Sequence, residues 1–198
     1  MIRNRPSLPR DSEVAVVAKE GQDSSLTFRP VELTRDLELI HGWMQAPHVV
    51  PFWNLNLPRE AFRQHLEKAL RAPHQALYLG LLDGVPMSYW ECYWAADDVI
   101  GRYYSAQQDD QGVHLLIGPL QYLHKGLALP LLQAVVRGLF RFPRTQRVIA
   151  EPDSRNAAMI HVFMRCGFEP AGLIDLPEKR ALLMMCDRTR CRNIGEGR

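Results

Sequence analysis

The stretch of this sequence most suited to chemistry is the loop "HKGLA", which lies between an apolar, strand-like run and an amphipathic helix. Its residues are His124, Lys125, Gly126, Leu127 and Ala128. Gly126 has no Cβ, so the backbone there can approach a ligand closely. The first N–H groups of a helix are unpaired and carry partial positive charge. The pattern is compatible with a phosphate-binding loop, but by itself it favours an ordinary turn before a core helix.

A second motif follows in "NAAMIHVFMRCGFEPAG". Asn156, Phe163, Gly167 and Phe168 have the spacing N-x(6)-Y/F-x(3)-G-F. Together with the earlier loop, and in this order, the motif resembles the GNAT superfamily of acyl-CoA-dependent N-acyltransferases. The resemblance covers roughly residues 26–185. It implies an α+β fold, with one GNAT-like domain whose mixed, mostly antiparallel sheet is flanked by helices.

The resemblance also implies how acetyl-CoA or another acyl-CoA would bind as co-substrate. The loop from His124 to Ala128 would hold the pyrophosphate. The strand before it would offer its backbone at Leu116, Ile117 and Gly118 to the pantetheine arm and to the oxyanion. The helix that carries Asn156 and Phe163 would flank the thioester.

The sequence departs from the superfamily pattern in two ways. Leu123 stands where Gln or Arg is usual, and Ala128 replaces the last glycine of the loop. This departure is mild, because the phosphate is bound by backbone N–H groups, which do not depend on these side chains. Phe163 replaces the Tyr that often protonates the departing thiolate, and a phenyl ring cannot donate a proton.

A narrower resemblance lies in residues 89–119 and 147–160. These segments are similar to the siderophore-biosynthesis acyltransferases of the aerobactin and mycobactin pathways, which acylate the N-hydroxylated side chain of lysine or a related diamine. That branch implies a catalytic pair at His114 and Asp153, with His114 as base and Asp153 fixing its tautomer. The alternatives are a structural strand histidine and an aspartate that caps the helix at Asn156.

Polar residues near the predicted hairpin are candidates for the acceptor pocket. Glu91 lies in "SYWECYW", on the face of the flanking tyrosines, where a buried carboxylate needs a partner. Arg102 or Arg180 would bind an acceptor carboxylate through two parallel hydrogen bonds. The predicted acceptor contacts are Glu91, Tyr93, Asp98, Arg102 and Tyr103.

Hydrophobic periodicity predicts the element order βααβββαβαββ, with a hairpin turn at Asp83-Gly84. Residues 1–25 and 189–198 are predicted to be flexible tails around a domain at residues 26–188. A length of 198 residues fits one domain.

Composition excludes several classes of protein. The net charge of +2 does not indicate a nucleic-acid-binding protein, and no apolar run reaches membrane-spanning length. The four cysteines contain no CxxC pair, which indicates reduced thiols of a cytoplasmic protein without a zinc site.

The sequence therefore predicts a cytoplasmic enzyme that transfers an acetyl or other short acyl group from acyl-CoA to an N-hydroxylated amine. The product would be an iron-chelating hydroxamate, and the transfer itself needs no metal. One alternative is acetylation of an aminoglycoside or polyamine, which the acidic runs "AADD" and "QQDDQ" keep open. Another is a non-catalytic acyl-CoA-binding module. The sequence leaves the acyl chain, the diamine and the oligomeric state open.

Overall fold

The computed structural model describes residues 15–19 and 22–191, and these form one eight-stranded sheet with helices on both faces. The strands are β1 (Ala15–Lys19), β2 (Gln22–Pro30), β3 (Gln75–Leu82), β4 (Val85–Trp94), β5 (Gln111–Ile117), β6 (Arg147–Ala150), β7 (Glu169–Asp175) and β8 (Arg180–Asp187). The helices are α1 (Leu33–Met44), α2 (Val50–Trp53), α3 (Arg59–Arg71), α4 (Ala128–Leu139), α5 (Ala157–Arg165) and α6 (Arg188–Cys191).

The sheet has the order β1-β2-β3-β4-β5-β6-β8-β7. Of the described strand pairs, β5 and β6 run parallel and the others run antiparallel. A helical connection is what a parallel pair requires, and α4 supplies it between β5 and β6. The predicted mixed, mostly antiparallel sheet flanked by helices is confirmed.

The two faces of the sheet are covered by different helices. On one face, α1 and α3 bury Ile40 and Phe62 against Leu79 and Leu116 of the sheet. On the other face, α4 and α5 pack against the opposite side chains of β4 and β5, among them Trp90. The alternation of side chains along a strand thus divides the core into two layers.

The predicted hairpin turn is present between β3 and β4. Asp83 and Gly84 both have positive φ, 50° and 79°, as a type I′ turn requires. The Asp83 carboxylate also accepts a hydrogen bond of 2.8 Å from the Ser25 amide, which ties the turn to β2.

The structure differs from the predicted tails at both ends. Strand β1 occupies Ala15–Lys19 and β2 begins at Gln22, because the two segments pair with each other and β2 continues the sheet beside β3. At the other end, α6 extends past residue 188 to Cys191. The rest of the predicted tails, residues 1–14, 20–21 and 192–198, lies outside the described residues. Within the part that is described, no helix combines the length and apolar character needed to span a membrane.

Candidate active site

The cleft of the molecule opens where β5 and β6 separate. Their pairing is confined to Gln111 with Val148 and Gly112 with Ile149, and beyond these residues the strands diverge. Two adjoining cavities lie along the gap, with volumes of about 360 Å³ and about 750 Å³. We call them the acceptor cavity, which contains His114, and the loop cavity, which reaches the loop before α4. They share the lining residues Phe52, Trp53, Leu115, Asn156 and Met159.

His114 lies between two carboxylates in the acceptor cavity. Its Nδ1 is 2.8 Å from Oε2 of Glu91, which is its direct neighbour on β4. Its Nε2 contacts Oε1 of Glu151, the first residue after β6. With a proton on each nitrogen, the ring donates a hydrogen bond to both carboxylates. The arrangement therefore stabilises an imidazolium.

Two buried tyrosines complete the hydrogen bonding of these carboxylates. The Tyr89 hydroxyl donates to Oε1 of Glu91 over 2.9 Å. The Tyr93 hydroxyl donates to Oε2 of Glu151 over 2.7 Å and lies 3.3 Å from Nε2 of His114. Tyr93 can come this close to β5 because Gly112 has no side chain: a Cβ there would lie 2.1 Å from the Tyr93 ring.

The charges of this cluster determine its protonation. Burial alone would lower the pKa of His114, but the charges and hydrogen bonds of Glu151 and Glu91 outweigh burial and raise this pKa to about 10. Burial would likewise raise the pKa of each glutamate, yet contact with His114 holds both below the ordinary value. At neutral pH the group is therefore one imidazolium between two carboxylates, with a net charge of −1. We call it the Glu-His-Glu group.

The predicted hydrogen bond between His114 and Asp153 is wrong. The Asp153 carboxylate instead binds Arg155, accepting from the guanidinium over 2.9 and 2.7 Å and from the backbone amide over 2.8 Å. Asp153 bridges Ala181 of β8, beyond the end of β6, whereas Glu151 directly follows β6. Sequence reasoning missed Glu151, although the rule that a buried carboxylate needs a partner, applied above to Glu91, would have flagged it.

The predicted acceptor residues separate into two groups. Glu91 lines the acceptor cavity and the Tyr93 hydroxyl binds Glu151 beside it. Asp98 instead accepts a hydrogen bond of 3.1 Å from the Ile100 amide and stabilises a 3₁₀ turn. Arg102 is exposed, and Tyr103 packs against the cluster that contains Ile100. None of these last three residues lines either cavity, because the chain turns away from the cleft after β4.

The loop before α4 has the geometry of a ligand-binding turn. His124 and Gly126 both have positive φ, 57° and 73°, and a Cβ built on Gly126 would meet no atom within 4 Å. The helix begins at Ala128, the last residue of the predicted loop, so residues 124–127 lie ahead of the helix. Four of the five predicted loop residues line the loop cavity, and the exposed Lys125 does not.

The backbone of β5 faces the cleft at alternate residues. The Gly118 amide donates to the Met87 carbonyl on β4 over 3.0 Å, and Leu116 pairs with β4 in the same register. Because alternate residues of an antiparallel strand bond to the same neighbour, the backbone groups of Leu115 and Ile117 point the other way, into the cleft. Of the predicted backbone contacts Leu116, Ile117 and Gly118, only Ile117 therefore has backbone groups that point into the cleft.

The glycine at the end of β5 has a packing role. A Cβ on Gly118 would lie 2.1 Å from the Trp43 ring, so glycine allows α1 to pack against this strand end. Nearby, Nε2 of His48 lies 3.1 Å from the Ile117 carbonyl oxygen and occupies that acceptor.

The helix motif lies at the junction of the two cavities. The side chain of Asn156 caps α5 by accepting a hydrogen bond of 3.1 Å from the Met159 amide, and it lines both cavities. Phe163 is buried, with its ring edge-on to Phe168 at 4.9 Å between centroids, and it borders the acceptor cavity. Phe163 carries no proton donor, whereas His114 of the Glu-His-Glu group lines the same cavity and does.

The model of the acetyltransferase (GNAT) domain family matches residues 32–176 of the chain. The chain belongs to the GNAT acetyltransferase family. Membership confirms the predicted fold and the predicted class, an acyl-CoA-dependent acyltransferase.

Several curated relatives have names that refer to hydroxylated amines. The chain is 35% identical over 164 residues to the N(6)-hydroxylysine O-acetyltransferase of Escherichia coli, covering 82% of this chain and 52% of that protein. It is 32% identical to the N-hydroxyputrescine acetyltransferase of Acinetobacter baumannii, covering 84% of this chain and 80% of the relative. The lysine N-acyltransferase MbtK of Mycolicibacterium paratuberculosis is 33% identical, with 77% and 69% covered.

Solved structures support the same fold. An uncharacterised protein of Bacillus halodurans is 45% identical, with a TM-score of 0.85, and 87% of this chain and 89% of that chain are covered. The aminoglycoside acetyltransferase AAC(6')-Ib, solved in complex with coenzyme A, is 25% identical with a TM-score of 0.77, covering 85% and 98% of the two chains.

Proposed function

We propose that this chain transfers an acetyl or other short acyl group from acyl-CoA to the N-hydroxylated side-chain amine of lysine or a related diamine. The product is a hydroxamate of the kind that siderophores use to chelate iron(III). Two relatives support this choice of acceptor, since their names specify N(6)-hydroxylysine and N-hydroxyputrescine.

The observation that carries the proposal is the Glu-His-Glu group in the acceptor cavity. A hydroxylamine nitrogen is already largely neutral near pH 7, so the enzyme does not need a strong base before attack. It needs a group that accepts the nitrogen's proton once the C–N bond has begun to form, when that proton has become acidic. A net charge of −1 beside the cavity suits this demand.

Protons balance within the group. Glu151 accepts the proton that the attacking nitrogen loses as the carbonyl becomes an oxyanion. When the oxyanion collapses and the C–S bond breaks, the His114 imidazolium protonates the thiolate. The Glu151 proton then passes to His114, which restores the resting state. His114 is thus the acid of this scheme, which replaces the earlier expectation that it is a free base.

The backbone of β5 fits the remaining requirement. The amides of Leu115 and Ile117 point into the cleft, where fixed N–H groups stabilise an oxyanion without reorganising. The loop at Gly126 leaves open space at a helix N-terminus, which suits the pyrophosphate of acyl-CoA. The larger loop cavity would then hold acyl-CoA and the smaller cavity would hold the amine.

The aminoglycoside alternative has one specific support, the likeness in fold to AAC(6')-Ib at 25% identity. The curated relatives are more similar, at 32–35% identity, and their names do not mention aminoglycosides. A polycationic acceptor also needs many carboxylates without partners, whereas Glu91, Glu151 and Asp153 are bound by cationic partners.

A CoA-release assay with matched acceptors tests the proposal. The acyl donor is acetyl-CoA. The rate of CoA release is measured with the hydroxylamines N6-hydroxylysine and N-hydroxycadaverine and, for comparison, with lysine, cadaverine and kanamycin. Mass spectrometry identifies the products. We expect turnover on at least one hydroxylamine and at least 100-fold less on its unhydroxylated parent, because the parent amine is an ammonium at pH 7. Faster turnover on kanamycin would support the alternative. Thermal stabilisation by CoA without turnover would indicate a binding module.

A further inference from the structure

The turn between β7 and β8 carries two adjacent side chains of opposite charge to the rim of the acceptor cavity. The turn is closed by hydrogen bonds between Leu176 and Lys179, with N–O distances of 2.9 and 3.3 Å. Glu178 and Lys179 both line the same cavity as His114. Neither residue was among the acceptor contacts predicted from the sequence.

The turn has a defined position over the cavity. The Asn54 side chain, at the left-handed C-terminal cap of α2, donates a hydrogen bond of 3.4 Å to the Glu178 carbonyl. Leu176 at the base of the turn is buried against the cluster that contains Tyr93. Contacts from both sides therefore hold the charged pair at the mouth of the cavity.

The two side chains lack a direct charged contact among the described residues, although the charge of Lys179 helps to lower the pKa of Glu151 and of Asp153. Within residues 24–189, the Lys179 ammonium and the Glu178 carboxylate make no hydrogen bond or ion pair with another side chain. The carboxylates near Lys179 already have partners, since Glu151 binds His114 and Asp153 binds Arg155. Glu178 is exposed and Lys179 is half-buried, so both can contact a ligand that enters the cavity.

We propose that Lys179 and Glu178 bind the α-carboxylate and the α-ammonium of the acceptor, so that the acceptor is an amino acid with a terminal N-hydroxyamine. This inference rests on the proposed function and deepens it. An amino acid carries its two opposite charges on one carbon, which matches two opposite charges on adjacent residues. A diamine has a single ammonium at that end, which Glu178 would attract and Lys179 would repel.

Kinetics with two acceptors that differ only in the carboxylate test this inference. The acceptors are N6-hydroxylysine and N-hydroxycadaverine, and the variants are Lys179→Gln, Lys179→Arg and Glu178→Gln. Arg180→Gln is the matched control, because Arg180 directly follows the turn as the first residue of β8, and its exposed side chain lies near Asp175, outside the cavity. This position argues against the expectation that Arg180 binds the acceptor carboxylate. Titration with CoA confirms that each variant is folded and binds its co-substrate.

We expect the wild-type protein to prefer N6-hydroxylysine. Lys179→Gln should raise KM for this acceptor by about 10- to 100-fold, the usual worth of one or two charge-assisted hydrogen bonds, and leave kcat nearly unchanged. Lys179→Arg should restore most of the loss, and Glu178→Gln should have a smaller effect of the same kind. N-hydroxycadaverine should be used equally well or better by Lys179→Gln.

Two results would overturn the inference in different ways. If the wild-type protein preferred N-hydroxycadaverine, or if Lys179→Gln weakened both acceptors equally, the acceptor would not be recognised by its carboxylate, while the proposed function would stand. If neither hydroxylamine were acylated although CoA still bound, the proposed function would fail and this inference with it.

Discussion

The two cavities of the cleft are lined by different kinds of chemical group. The acceptor cavity contains buried charges in fixed pairs, with Glu151 4% exposed and His114 29% exposed. The loop cavity is lined largely by apolar side chains, by the loop at Gly126 and by the backbone of β5. The chemistry of acyl transfer demands particular side chains, whereas a pyrophosphate and a pantetheine arm can be bound by N–H groups that nearly every residue supplies.

This difference explains which departures from the family pattern the chain tolerates. Leu123 and Ala128 replace residues of the loop motif, yet the left-handed turn at Gly126 is retained. The loss of the usual Tyr at Phe163 removes a proton donor, and in the proposed mechanism the Glu-His-Glu group supplies another one in the same cavity. Substitutions in the acceptor cavity should therefore change kcat or stability, whereas substitutions in the loop cavity should change the affinity for CoA.

The largest effect should follow from removing the proton acceptor. We expect Glu151→Gln to lower kcat by about 10²–10⁴, the usual worth of a positioned acid or base, and to leave the CoA dissociation constant unchanged. The pKa of His114 should also fall below its value of about 10, because Glu151 makes the largest contribution to raising it. Single-turnover kinetics and a histidine NMR titration measure the two effects. A folded variant with a parental rate would exclude Glu151 from catalysis.

The second prediction concerns stability in the acceptor cavity. His114→Gln leaves Glu91 and Glu151 buried without a cation, which should cost about 3–5 kcal/mol of unfolding free energy near pH 6.5. Denaturant unfolding measures this cost. The matched control is His74→Gln, where a single carboxylate, Asp98, lies 3.4 Å from the ring, and its cost should stay below about 1 kcal/mol.

The cost of His114→Gln should also depend on pH in a defined direction. In the wild type the pKa values of Glu91 and Glu151 are lowered, so these residues stabilise the folded state above about pH 4.5. This contribution to the unfolding free energy is lost as the pH falls through their lowered pKa values. The contribution of His114 is present in full below 6.5 and is lost as the pH rises through about 10. In the variant the unpaired carboxylates have raised pKa values, so its stability should fall as the pH rises from 4.5. A cost independent of pH would contradict the ion pairing.

The loop cavity should respond to a change in its backbone. Gly126→Asp places a carboxylate where the pyrophosphate would lie and should weaken CoA binding by about 10- to 100-fold in calorimetry, the worth of one or two charge-assisted contacts. Gly84→Asp is the control, because Gly84 has a similar φ of 79° and equally open surroundings on the hairpin turn. Both variants should lose similar stability. Equal CoA affinity in the two would remove the loop from the site.

The smallest effect should come from Asp153. Asp153 binds Arg155 and not His114, so Asp153→Asn should change kcat by only a few-fold. The pH dependence of the rate should match that of the wild type. A loss comparable with that of Glu151→Gln would mean that Asp153 reaches the reacting groups when substrate binds.

Much of the fold could be predicted from the sequence because its signals are local. The Asp83-Gly84 turn, the helical spacing of Ile40 and Phe62 with their neighbours, and the cap at Asn156 depend on residues close in the chain. The strand at the start of the chain was missed, because its five residues are too few to show a periodicity and it is defined by pairing with β2.

The sequence by itself determined the family, the loop at Gly126, and the presence of His114 and Glu91 in one cavity. Only the tertiary structure decided that Glu151 rather than Asp153 binds the histidine, and that the turn at Lys179 lies over the same cavity. Glu151 and Asp153 are two residues apart in one segment, and no local pattern shows which of the two carboxylates faces His114. The choice depends on where β6 diverges from β5 while it stays paired with β8, and that is a property of strand pairing between distant parts of the chain.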